Sequence, residues 1–267
     1  MPTRIARAPR EVKARECGAA ARPRSPRAAA VTMADEMSAT ETAMRGRVLR
    51  VRRLGLVPYD EAYRVQKETE RGVREGSEPD TLLLLEHPHV VTLGRRADSS
   101  ALVATRALLE ARGVHVVETD RGGKATYHGP GQVVGYPVIS LRAGRADVHR
   151  YVRDLERTII AALADFGIEA FPVEGLTGVH TARGKVAAIG IHVARWVTTH
   201  GFALNVNTDL SYFQMILPCD GEHVTSMEEL LGREIDMRAV EDRLAARFGE
   251  VFGLPAEESA APLEQKP

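Results

Sequence analysis

Apolar residues recur along the chain at two spacings, one typical of helices and one typical of strands. Between residues 147 and 166 they recur every three or four positions, which predicts an amphipathic helix. Asp147 can cap its start and Gly167 can end it. Further helices are predicted at 59–75, 105–112 and 236–252, each followed closely by a glycine suited to a helix end: Gly76, Gly113 and Gly253.

Short apolar runs predict strands between these helices. They lie at 48–53, 81–86, 90–93, 114–119, 133–141, 168–173, 185–195 and 196–206. The last two are expected to form a hairpin or bent ribbon. Because strands occur both in succession and between helices, the pattern predicts an α+β single domain with a largely antiparallel or mixed sheet flanked by helices. No run reaches the roughly 18 apolar residues of a membrane-crossing helix, so no membrane association is expected.

The two ends of the chain differ in composition from its body. Residues 1–44 are rich in Ala, Arg and Pro and carry no repeating apolar face, so they are predicted to be a disordered basic leader. An Arg-rich, acid-poor leader also resembles an organellar transit peptide. Met33, Met37 and Met44 are alternative translation starts. Residues 255–267 are predicted to be a flexible tail, which leaves 45–254 as the folded domain.

Charge and cysteine content exclude several classes of protein. The 36 basic residues balance the 36 acidic ones, which argues against a protein whose main partner is nucleic acid. Eight of the basic residues and only two acidic ones precede Met33, so the body carries a net charge of −6. The two cysteines, Cys17 and Cys219, exclude a disulfide framework and a metal site built on several thiolates. A reducing, cytoplasmic location is expected.

A glycine-rich segment at 121–132 is the first candidate for chemistry. It begins with Arg121, Gly122, Gly123, Lys124, Ala125, Thr126, Tyr127 and His128 and continues as Gly-Pro-Gly-Gln. Bare backbone beside several hydrogen-bond donors suits close approach to a substrate. Its spacing matches neither a phosphate-binding P-loop nor a dinucleotide fingerprint. A tight turn between two strands is the simpler interpretation of such a loop.

Two further candidates are a lysine and a cysteine. Lys185 opens a predicted strand on the face that also carries Ala187, Ile189 and Ile191. Its amine either reaches water or lies in a partly dry site where it can act as a base. Cys219 follows an apolar run and is bracketed by Pro218 and Asp220-Gly221. It is either a buried packing residue or a reactive thiol, and a nearby lysine would activate it as a cation or as a neutral base.

Taken together, these segments resemble the lipoyl(octanoyl) transferases. The resemblance is carried by RGGKATYHGPGQVVGYP, GKVAAIGIHV and LPC, with HPHVVTLGRR upstream and THGFALNVNTDL between the last two, and it spans about residues 45–252. It implies the biotin/lipoate protein ligase fold, which is class II synthetase-like. It also implies an enzyme, an acyltransferase that needs no cofactor and no ATP.

The resemblance further implies a reaction and its residues. Octanoate would pass from octanoyl-acyl carrier protein to Cys219 as a thioester, and then to a lysine of a lipoyl domain, as the first step of endogenous lipoate assembly. Acceptors would be lipoyl domains of 2-oxoacid dehydrogenase complexes and the glycine cleavage H protein. Lys185 would activate the cysteine, and residues 121–128 would contact substrate. Two strand segments would also contact it: Ala188, Ile189 and Gly190, and Gly201, Phe202 and Ala203. A monomer is expected.

One departure and three rival interpretations accompany this resemblance. The family usually has glycine after the cysteine, whereas this chain has Asp220, whose carboxylate would raise the thiol pKa. An ATP-dependent lipoate or biotin ligase would use the same fold without a cysteine nucleophile. A non-catalytic protein that binds acyl carriers or lipoyl domains would form no covalent intermediate. His87 and His89 suggest a metal pair, but no third ligand accompanies them, so no metal is expected.

Overall fold

Two β-sheets of different size are found in the computed structural model, which describes residues 47–142, 146–217 and 223–259, apart from the side chain of Ser99. The larger sheet contains β1 (Leu49–Leu56), β2 (Asp80–Glu86), β6 (Gln132–Val138), β7 (Val179–Thr181), β8 (Gly184–Ala194), β9 (Val197–Asn205) and β10 (Ala256–Glu258). The smaller one contains β3 (Val90–Leu93), β4 (His115–Glu118) and β5 (Ala125–His128). The helices are α1 (Tyr59–Glu75), α2 (Arg106–Ala111), α3 (Val148–Ala164), α4 (Met227–Leu231) and α5 (Met237–Phe252). Short 3-10 turns lie at Ser99–Ala101 and Leu210–Met215.

The larger sheet is mixed. Its strand order is β10-β1-β2-β6-β9-β8-β7, with β1 parallel to both β10 and β2 and the remaining pairs antiparallel. The smaller sheet has the order β4-β3-β5. The predicted α+β fold with a mixed sheet flanked by helices is therefore confirmed.

The core lies on both faces of the larger sheet. Along β2, Leu82 and Leu84 face the cluster that holds α3 and α5, whereas Leu83 and Leu85 face α1. This alternation follows from the two-residue period of a strand, and burial on both faces explains why β2 is apolar throughout. Each such leucine contributes about 1.5–3 kcal/mol by leaving water.

The predicted helix ends agree closely with the structure. The Asp147 side chain accepts a hydrogen bond from the backbone of Arg150 and caps α3. Gly76 and Gly253 adopt left-handed backbone at the ends of α1 and α5, with φ of 78° and 59°. The predicted hairpin of β8 and β9 also forms.

Three details of the prediction are wrong. The strand expected at 168–173 is absent, because Phe171 makes only an isolated bridge to His180. The glycine-rich segment is not all loop, since it contains β5. The tail expected from residue 255 begins with β10, which pairs with β1. Short strands such as β5, β7 and β10 lack enough residues to display a period of their own.

The described ranges contain no helix that is long and apolar enough to cross a membrane. The predicted leader at 1–44 lies outside the described residues.

Candidate active site

A cavity of about 890 Å³ lies against the larger sheet and collects most of the predicted site. Its walls include β8, β9, the loop before β5, the first half of α3 and residues 172–177. The predicted residues that line it are Lys185, Arg121, Gly122, Gly123, Ala125, Thr126, His128, Ala188, Ile189, Gly190, Gly201, Phe202 and Ala203. Segments far apart in sequence therefore line one cavity.

Three predicted site residues are not part of this lining. Cys219 lies outside the described residues. Lys124 contributes its backbone carbonyl to the loop, accepting hydrogen bonds from Gly94 and Arg121. Tyr127 packs in the core of the smaller sheet, where its ring stacks on Tyr212 with centroids 4.9 Å apart. Thr126 and His128 line the cavity and Tyr127 does not, as the alternation of a strand requires.

Arg121 holds the glycine-rich loop together. Its guanidinium donates hydrogen bonds to the Thr92 hydroxyl from Nε (3.0 Å) and to the Gly122 carbonyl from one terminal nitrogen (2.9 Å). The other terminal nitrogen donates to the carbonyls of Thr92 (2.5 Å) and Lys124 (3.0 Å). Because the side chain is buried and engages backbone on both sides of the loop, it positions the loop as well as lining the cavity.

The loop is pressed against β8. Gly122 donates a backbone hydrogen bond to the Ile191 carbonyl at 2.9 Å. A Cβ atom at Gly190 would lie only 3.0 Å from the Gly122 carbonyl oxygen. On the other side of the loop, a Cβ atom at Gly94 would lie 2.6 Å from the Gly123 carbonyl oxygen. Glycine at 94 and 190 therefore permits the close approach that builds this wall.

Lys185 stands where β8 begins. Its backbone N–H donates to the His223 carbonyl (2.9 Å), and its carbonyl accepts from Thr225 N–H (3.0 Å). A Cβ atom at Gly178 would lie 3.2 Å from the lysine Nζ, so the amine end rests against bare backbone. The pairing of β7 with β8 shifts by one residue at Val186. The strict alternation of side chains between the two faces, which was assumed for Lys185 and Ala187, is therefore interrupted.

Two buried histidines, His87 and His128, lie close to one another, and His128 lines the cavity. His128 and His87 have ring centroids 5.6 Å apart, and burial lowers the pKa of both, that of His87 to about 4. His87 Nδ1 donates to the Val57 carbonyl (2.7 Å), so Nε2 accepts from the Tyr136 hydroxyl (2.8 Å). With both nitrogens engaged, His87 has no lone pair left for a metal.

His89 points elsewhere, with Nδ1 2.7 Å from the Tyr127 hydroxyl. Among the described residues, no cluster of three or more His, Cys, Asp and Glu side chains could hold a metal ion.

Several lining residues were missed by the sequence reasoning. They are Tyr59, Gln132, Tyr136, Glu156, His200 and Asn205. Glu156 gave a signal, since it is a carboxylate within the buried face of α3, where it accepts a hydrogen bond from Gly178 N–H at 3.1 Å. Tyr136 and Asn205 gave none, because a polar group within an apolar strand cannot be distinguished from a structural one before its partners are known.

Relatives of known name cover most of this chain. The octanoyltransferase of Rubrobacter xylanophilus is 50% identical over 220 residues, which cover 80% of this chain and 99% of the relative. That of Solibacter usitatus is 49% identical over 203 residues, covering 76% and 92%. These similarities confirm the resemblance that the motifs carry.

Solved structures share the fold at low sequence identity. The bi-partite lipoate protein ligase of Thermoplasma acidophilum superposes with a TM-score of 0.67 at 17% identity, covering 80% of this chain and 87% of the ligase. Lipoate-protein ligase A bound with ATP gives 0.63 at 16% identity, covering 80% and 88%. The family model described as the lipoyl protein ligase A/B catalytic domain matches residues 58–249, and this chain therefore belongs to that family.

Proposed function

We propose that this protein transfers an octanoyl group from octanoyl-acyl carrier protein to a lysine of lipoyl domains, through a thioester on Cys219. The observation that carries the proposal is the meeting of Lys185 with loop residues that include Arg121, Thr126 and His128 on the walls of one cavity. Relatives about half identical to this chain are named octanoyltransferases. The cavity volume of about 890 Å³ falls in the range of small-molecule sites.

The chain around Cys219 supports its role as the nucleophile. His223 accepts a hydrogen bond from the backbone of Lys185, and Val224 forms a parallel bridge with Lys185 and lines the cavity. Cys219 precedes His223 by four residues in the sequence, so the chain that follows the proposed nucleophile is the one that contacts Lys185.

The chemistry needs no ATP. The thiolate attacks the donor thioester, a C–S bond forms as another breaks, and the carrier thiol leaves. The lysine amine of the acceptor then attacks the acyl-enzyme, which yields an amide and returns the cysteine. Both steps are ordinary nucleophilic catalysis, and each tetrahedral intermediate needs hydrogen-bond donors for its oxyanion.

The apolar residues Ile189, Ile191 and Phe202 on the cavity wall suit an eight-carbon chain. The proposed acceptors are lipoyl domains of 2-oxoacid dehydrogenase complexes and the glycine cleavage H protein. The proposed location is the cytoplasm, because a body with a single cysteine suits a reducing compartment. The proposed oligomeric state is a monomer.

The test is intact-protein mass after brief incubation with octanoyl-acyl carrier protein, for wild type, Cys219→Ala and Asp220→Gly. We expect one octanoyl group on the wild type, removed by hydroxylamine and absent from Cys219→Ala. No gain on wild type with gain on Asp220→Gly would indicate a non-catalytic binding protein. Transfer from free octanoate with ATP that survives Cys219→Ala would indicate a ligase instead.

A further inference from the structure

A chain of hydrogen bonds with a fixed direction links Gln132 and Asn205. Gln132 Nε2 lies 3.2 Å from the Tyr127 carbonyl, and Asn205 Nδ2 lies 3.0 Å from the Thr225 carbonyl. A backbone carbonyl can only accept, so both amides must present their nitrogens to these oxygens. Asn205 Oδ1 then accepts from Gln132 Nε2 at 2.9 Å. The two carbonyls therefore decide the orientation of both side-chain amides.

This direction determines the tautomer of His128. With its nitrogen committed, Gln132 presents only Oε1 to His128 Nδ1, at 2.8 Å. Nδ1 must therefore carry the proton. Burial lowers the pKa of His128 well below its usual value, so the ring is neutral at neutral pH. A neutral imidazole protonated at Nδ1 has a bare lone pair at Nε2.

The bare nitrogen belongs to the cavity. The His128 side chain is 94% buried, being 6% exposed, and it lines the cavity wall. Among the described residues, none forms a hydrogen bond with Nε2. This nitrogen is not completely shielded from solvent, so it remains accessible from the cavity. A buried acceptor left open in this way requires a donor from whatever fills the cavity.

We propose that His128 Nε2 accepts a hydrogen bond from the primary amine that attacks the acyl-enzyme, and that His128 thereby positions the acceptor lysine. The inference rests on the proposed function and adds a role to it. The geometry excludes the opposite assignment, in which His128 donates to the oxyanion, because the neutral ring has its only N–H turned toward Gln132.

The role is consistent with the bonds that form and break in the second step. The new C–N bond forms as the C–S bond to the cysteine breaks. The amine keeps one hydrogen in the amide and loses the other to the departing sulfur. When the lone pair of His128 Nε2 accepts a hydrogen bond from one N–H of the amine, the lone pair of the amine nitrogen is directed toward the carbonyl carbon. Such alignment is worth orders of magnitude in rate.

A second source of N–H exists, namely an amide in the arm that carries the donor thioester. The two sources act in different half-reactions. A contact to the donor arm would affect formation of the acyl-enzyme, whereas a contact to the amine would affect only its consumption.

The experiment measures the half-reactions separately in His128→Phe, His128→Gln and the control His89→Phe. His89 is a histidine of the same region that does not line the cavity. In His128→Phe we expect acyl-enzyme formation within about threefold of wild type and transfer to a lipoyl domain slowed at least about tenfold. His128→Gln keeps an acceptor atom and should recover part of the transfer rate, while His89→Phe should affect both half-reactions alike.

Transfer at the wild-type rate in His128→Phe, or an equal fall in both half-reactions, would overturn the inference, and slowing confined to acylation would assign the contact to the donor arm. A wild type that never acylates would instead overturn the proposed function. The 15N shifts of labelled histidine test the tautomer even if the Phe variant does not fold. We expect a bare Nε2 at His128, and a protonated Nε2 would contradict the inference.

Discussion

Asp120 and His200 form a hydrogen bond of 2.7 Å between Nε2 of the imidazole and a carboxylate oxygen. Asp120 directly precedes the glycine-rich loop, and His200 directly precedes the β9 segment that lines the cavity. The bond lowers the pKa of Asp120 to about 2. His200 also has left-handed backbone, with φ of 56°, and its N–H donates to Gln66 on α1 at 2.8 Å. The pair thus ties two cavity walls together at their ends.

Asp120→Asn should loosen the loop. The substitution removes the charge that accepts from His200, and we expect a loss of about 1–3 kcal/mol in the free energy of unfolding. Because the loop forms a cavity wall, KM for the acyl donor should rise several-fold, more than kcat falls. Urea unfolding and steady-state kinetics measure both effects. Asp154→Asn, which breaks an ion pair with the exposed side chain of Arg157, is the control and should change KM little.

Gly190→Ala should separate the loop from β8. The added Cβ would lie 3.0 Å from the Gly122 carbonyl oxygen and 3.2 Å from Arg121 Cδ, so one of the walls must move. We expect a cost of about 1–3 kcal/mol in stability and a clear loss of donor affinity.

Gly122→Ala is the matched control for this substitution. It lies on the other side of the same contact, where the added Cβ would have an ordinary separation of 3.4 Å from the Ile191 carbonyl oxygen. Equal effects of the two substitutions would contradict the steric argument.

Lys185→Met should slow formation of the acyl-enzyme by about 10²–10⁴-fold, the usual contribution of a positioned proton-transfer group. Lys185→Arg separates the two ways in which a lysine can activate a thiol. An arginine keeps the positive charge but cannot take a proton, so it should preserve thiolate formation only if charge is what matters. The rate of Cys219 alkylation as a function of pH is the measurement, with formation of the acyl-enzyme measured alongside.

Acid should destabilise the protein in two separate ranges of pH. His87, His128 and His200 have folded-state pKa values lowered mainly by burial, so the unfolded chain binds protons more readily below about pH 6.5. Stability should therefore be complete above pH 6.5 and fall as the pH drops below it, by up to about 1.4 kcal/mol per pH unit for each histidine.

The pKa of Asp120 is also lowered in the folded protein, but its contribution to stability is lost in a lower range of pH. The contribution is present above pH 4 and is lost between about pH 4 and 2. Urea titrations at several pH values test both ranges, and His87→Phe should reduce the slope between pH 6.5 and 4. A stability curve that is flat from pH 7 to 5 would contradict the burial of neutral histidines.

Arg53 should contribute more to stability than Arg50 on the same strand. It contacts Glu241 and Asp242 of α5 and Glu258 of β10, so it joins three elements. Arg53→Met would leave the half-buried Glu241 without its cation, and we expect a loss of about 2–4 kcal/mol. Arg50→Met breaks only an exposed pair with Glu78 and should cost less than about 1 kcal/mol. Thermal unfolding of both variants measures the difference, which would vanish if β10 were a loose tail.

The sequence by itself determined the long helices, the mixed sheet and part of the cavity lining. Helical spacing over 17 residues, as in α1 and α3, repeats often enough to be unmistakable, and capping residues such as Asp147 and Gly253 mark the ends. The loop and strand segments predicted to contact substrate could be identified because each is a contiguous motif in the sequence.

Only the tertiary structure decided which of these residues face the cavity and what each can donate or accept. Tyr127 sits beside His128 in sequence, yet the strand turns it into another core. The state of the His128 ring depends on Thr225, which is 97 positions away along the chain and acts through two amides. Such partners are brought together by packing, and a sequence pattern records spacing along the chain, not proximity across it.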